Sequence, residues 1–60
     1  MNRDKLKAGL EAMHAQAQEA RKAIHDSDDE PNYEHPDYRL WKNLLDVEYY
    51  CLEAISDLDS

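Results

Sequence analysis

Sixty residues with 14 Asp/Glu against 7 Lys/Arg give a net charge of -7, which repels phosphate backbones and anionic membrane surfaces and argues against direct nucleic-acid or membrane binding. A chain this short buries only about 60% of the surface its unfolded form exposes, so its core is marginal. The one cysteine, Cys51, excludes an intramolecular disulfide, and oligomerisation becomes the expected source of extra burial.

The opening Met1-Asn2-Arg3-Asp4-Lys5 lacks the apolar region of a secretory signal, and no apolar run approaches the roughly 20 residues needed to span a bilayer, so a cytoplasmic protein is expected. Charge is unevenly placed. Residues 1–25 carry five basic and three acidic residues, whereas residues 26–60 carry two and eleven.

Residues 3–26 are rich in Ala, Lys, Glu, Gln and Leu, which favour helix, and Asn2 suits an N-cap. Leu6, Leu10, Met13, Ala17, Ala20 and Ile24 step by four and three in alternation, which predicts a helical contact seam. Arg21 and Lys22 place positive charge at the negative end of this helix's dipole. Six alanines make the helix slim, and Gly9, beside the seam, predicts close approach of a neighbouring helix.

Residues 27–35, SDDEPNYEH, combine turn formers with no apolar periodicity and predict a chain reversal. Pro36 suits a first helical position, so a second helix is expected over about 36–57. Its apolar residues form two adjacent rows, one through Leu40, Leu44, Val47, Cys51, Ala54 and Leu58, the other through Trp41, Leu45, Leu52 and Ile55. Together they span about half the helix circumference, more than one slim partner covers. The expected fold is all-α: a single domain over 1–60, a two-helix antiparallel hairpin that assembles into a helical bundle as a homo-oligomer. The oligomer interface is expected at Trp41, Leu45, Glu48, Tyr49, Leu52 and Ile55.

Glu48 breaks the local pattern, because a carboxylate inside the apolar arc is costly unless paired. His14, Arg21, Lys7 and the tyrosines are its candidate partners. The alternative is a basic residue of a target.

No constellation carries catalysis. Cys51 projects at the centre of the apolar stripe, where a thiol is inert, and no elbow or glycine-rich loop accompanies it or His14. His25, Asp26, Asp28, Asp29, Glu30, Glu34, His35 and Asp37 offer many donors, but the glycine and regular alternation of a calcium loop are missing, Pro31 interrupts the register, and the cysteine is remote. No metal or cofactor is expected, and with no phosphate-binding loop an enzyme is not expected either.

What remains is recognition. Asp28, Asp29, Glu30, Tyr33, Glu34 and Tyr38 predict an acidic, aromatic tip, and Asp46, Glu53 and Asp57 an acidic stripe on the second helix. These features suggest a non-enzymatic protein that docks on a basic surface of another protein and inhibits or regulates it, in the manner of a phage-type inhibitor that mimics nucleic acid. Two other readings compete. One is an oligomeric binder of a nucleotide-like ligand, for which Arg3, Lys5, Lys7, Arg21, Lys22, Arg39 and Lys42 would have to converge from neighbouring subunits. The other is a structural assembly component.

Overall fold

A computed structural model describes residues 1–27 and 29–60. Two 22-residue helices, α1 over Arg3–Ile24 and α2 over Tyr38–Asp59, pack side by side as a hairpin. The particle measures 43 × 18 × 15 Å, as expected of helices about 33 Å long lying side by side.

The helices run antiparallel. At one end Arg3 donates to the carbonyl of Leu58 at 2.9 Å and the Lys7 ammonium lies 3.4 Å from the Asp59 carboxylate. Basic residues in α1's first turns oppose that helix's own dipole but sit against the negative end of α2, where Arg3 satisfies an otherwise orphaned carbonyl. This explains why α2 continues to Asp59, two residues beyond the predicted end, despite the acidic residues of its last turns.

The helix boundaries differ from expectation in the connection as well. α1 stops at Ile24, where His25 is extended and its N–H still reaches the Arg21 carbonyl at 3.1 Å. Ser27 then bonds back to His25, and its hydroxyl accepts from the Asp29 N–H, the local competition by which short polar side chains draw backbone out of a helix. Pro36 does not open α2. It lies in a turn in which the Tyr38 N–H bonds the His35 carbonyl at 3.0 Å, His35 Nδ1 accepts from Asp37, and the first helical bond is Trp41 N–H to the Asp37 carbonyl. Asp37 occupies the N-cap without a side-chain cap bond. At the other start the expectation holds, with Asn2 Oδ1 accepting from the Lys5 N–H at 3.0 Å.

Packing revises the predicted seam. On α1 the residues turned toward α2 are Lys7, Leu10, His14, Ala17, Arg21 and Ile24, all buried or half-buried, while Leu6, Met13 and Ala20 are exposed. The stripe keeps the alternation of three and four but is rotated by about half a residue step. On α2 the matching positions are Trp41, Leu44, Glu48, Cys51, Ile55 and Leu58. Burial of Glu48 requires a cation, and α1 supplies one only when turned so that Arg21, not Ala20, faces inward. Gly9 likewise departs from expectation: a Cβ built there meets nothing within 4 Å, so no neighbouring backbone among the described residues approaches it.

Candidate functional site

Three apolar residues, Ala17, Trp41 and Cys51, form the buried centre, and with them lie two charged ones, Arg21 and Glu48, each 6% exposed. Arg21 Nε donates to Glu48 Oε2 at 2.5 Å and Nη2 to Oε1 at 3.4 Å, a forked pairing across the two helices. The guanidinium also lies 5.3 Å from the centroid of the Trp41 ring, within cation–π range. Trp41 is 2% exposed, and its indole N–H has no hydrogen-bond partner among the described residues. Glu48 is thereby committed inside the chain, and the reading that it meets a target residue is set aside.

The six predicted interface residues fall into two groups. Trp41 and Glu48 are buried within the single hairpin, at 2% and 6% exposure. Leu45 and Ile55 are half-buried, and Tyr49 and Leu52 are exposed. His14, Leu45, Glu48, Tyr49 and Leu52 line a shallow depression on one flank.

The acidic tip is partly internal. Glu30 accepts from the Tyr38 hydroxyl at 2.6 Å and from the Lys42 ammonium at 2.9 Å, so the connection is clasped onto the first turn of α2. The Tyr38 hydrogen bond, with Lys42 adding to it, holds the Glu30 carboxyl below its usual range. The same contact to Glu30 raises the Tyr38 phenol and the Lys42 ammonium. Tyr33, Asp29 and Glu34 are exposed, and Asp28 lies outside the described residues. No signal in the sequence joins Glu30 to residues eight and twelve positions later, because the contact depends on how the connection folds back.

The stripe on α2 is free. Asp46, Glu53 and Asp57 are exposed, with Tyr49 and Tyr50 standing between them on the same outward side, and none of the three carboxylates makes an ion pair among the described residues. Spacings of three, four and seven residues place these five side chains along one face. Tyr50 was outside the predicted site; its exposure among acids is the signal that marks it.

The basic residues are distributed differently. Arg3, Lys7, Arg21 and Lys42 each have a partner within the chain, whereas Lys5, Lys22 and Arg39 make no ion pair among the described residues. Among the described residues no three of His, Cys, Asp and Glu lie close enough to share a metal ion, and no helix is long and apolar enough to cross a membrane. The Cys51 thiol is buried and free.

No family model matches the sequence, and neither the curated proteins nor the solved structures returned a match.

Proposed function

We propose that this chain is a non-enzymatic binding protein that associates with copies of itself and docks on a basic surface of another protein, regulating or inhibiting it through the outer face of α2. The observation that carries the reading is the row Asp46, Tyr49, Tyr50, Glu53 and Asp57: carboxylates that make no ion pair among the described residues, interleaved with exposed tyrosines on one helix. Tyrosine supplies contact area at low entropic cost, and unpaired carboxylates steer and orient a cationic partner. Solubility alone accounts for the acids but not for two large aromatic rings among them. The tip contributes less than its composition suggests, since Glu30 and Tyr38 are spent on each other and on Lys42.

The reading is tested by recovering the partner from the native host and measuring its affinity for variants. Reversing Asp46, Glu53 and Asp57 to Lys is expected to weaken binding about 100-fold or more, with wild-type affinity falling as salt rises. The same change of charge at Glu11, Glu19 and Asp26 should leave binding within a few-fold. Equal losses from the two triple variants would reduce the effect to net charge and overturn the site.

A further inference from the structure

Trp41 is the fourth residue of α2 and stands beside the last turn of α1, whose Arg21 lies against its ring. Two helices alone leave inward side chains partly open: Leu44, one turn further along α2, and Leu58, at the opposite end, are only half-buried. Trp41 is larger than either, yet it is 2% exposed. A third layer must cover it, and the connection is the chain that runs past this end of the hairpin. Pro31 marks that layer. It is the one buried residue of the connection among those described, and its neighbours Glu30 and Asn32 are exposed.

The cover is fastened at few points. Its ends are tied locally, by the Ser27 N–H to the His25 carbonyl and by the Tyr38 N–H to the His35 carbonyl. Between them, the Glu34 and His35 N–H groups bond only back to Asn32, and Asp29 only to Ser27. Among the described residues, the one member of 29–34 that hydrogen-bonds a helix is Glu30, through Tyr38 and Lys42. The Glu30 and Lys42 side chains are each 48% exposed, so solvent screens their ion pair. Beneath the cover the Trp41 indole N–H has no acceptor among the described residues, and opening would hydrate it.

We infer that residues 29–35 form a strap latched over Trp41 by Glu30, and that releasing the latch opens Trp41 and Pro31 to solvent while α1 and α2 stay packed. Segments held by exposed hydrogen bonds and little buried apolar surface are the ones that open locally. The helices keep their own ties without the strap, through Arg21 and Glu48 at the centre and through Arg3 and Lys7 at the far end. The opened end presents an indole with a guanidinium on its face, which the closed hairpin hides. This device rests neither on self-association nor on the basic partner.

Trp41 is the only tryptophan, so its fluorescence reports the strap directly. At one fixed protein concentration, Glu30→Ala should move the emission to the red and raise the acrylamide quenching constant about twofold or more, with far-UV circular dichroism unchanged. Glu34→Ala, which removes an exposed carboxylate from the same segment, should match wild type. Hydrogen exchange of the wild type needs no variant. The Trp41 indole N–H should show protection about tenfold or more below that of the buried Cys51's backbone amide, and almost no dependence on dilute denaturant. Equal quenching in Glu30→Ala and Glu34→Ala would overturn the latch. An indole N–H that shares the protection and denaturant slope of the Cys51 amide would overturn the opening, since Trp41 would then be freed only by global unfolding. Quenching that rises only together with loss of helix content would overturn it as well.

Discussion

Replacing Glu48 by Ala probes the buried Arg21–Glu48 pair. Both side chains are more than nine-tenths buried, so solvent does little to screen the guanidinium that the substitution leaves behind. Removing one partner of such a pair typically costs about 3–5 kcal/mol, because the residual charge stays desolvated. The Trp41 ring at 5.3 Å contacts the guanidinium with or without Glu48 and so offsets none of this, which leaves the expected loss at about 3 kcal/mol or more. A domain of 60 residues has a total stability of about 3–9 kcal/mol, so the variant is mostly unfolded or melts about 12–24 °C lower. The double variant Arg21→Met with Glu48→Leu removes both charges while filling the space, and should recover wild-type stability or exceed it by about 1–4 kcal/mol. Thermal melts followed by far-UV circular dichroism at one fixed protein concentration measure all three, since association adds concentration-dependent stability. A melting point for Glu48→Ala within about 3 °C of wild type would show that the guanidinium is not left desolvated and unpaired. A double variant as damaged as the single one would show that the loss does not come from the unpaired charge.

The clasp at Glu30 makes stability depend on pH in two directions. A lowered carboxyl contributes stability that is present above its unfolded value and lost as pH falls through the folded one. The raised Tyr38 and Lys42 groups contribute stability present below their unfolded values and lost as pH rises. The advantage of wild type over Glu30→Gln should therefore be flat from about pH 5 to about pH 9 and shrink on both sides. An NMR titration should find the Glu30 carboxyl below the ordinary range and see it rise in Tyr38→Phe. Gly9→Ala should stabilise the hairpin by about 0.5–1 kcal/mol in denaturant unfolding at one fixed protein concentration, since the added methyl meets nothing within 4 Å. Asn2→Ala should cost about 0.5–2 kcal/mol and speed hydrogen exchange at Lys5, whose N–H the Asn2 side chain holds.

Both helices were legible in the alternating steps of three and four and in Asn2, because those signals are local. The rotation of α1 was not: whether Ala20 or Arg21 faces inward depends on Glu48 in the other helix, and the apolar pattern alone favours Ala20. Glu48 itself announced the need for a partner by standing in an apolar arc, and Arg21 was among the residues able to supply it. Pro36 misled because proline fits a first helical position and a preceding turn equally well; the His35 side chain and carbonyl decide between them here. On the surface, the stripe through Asp46, Glu53 and Asp57 was readable from spacing. The Glu30–Tyr38–Lys42 clasp was not, since its members meet only after the connection folds back. The exposure of Leu6 and Met13 is hidden for the same reason as the seam: their spacing fits a contact between the helices, and only the rotation of α1 turns them outward.

Docking through the outer face of α2 is tested most directly by an NMR titration of isotope-labelled wild-type protein with the partner recovered from the native host. Perturbed amides and side chains should concentrate at Asp46, Tyr49, Tyr50, Glu53 and Asp57, with α1's outward residues, Lys5 and Lys22 among them, unmoved. A footprint centred on α1 would exclude the α2 face as the docking surface.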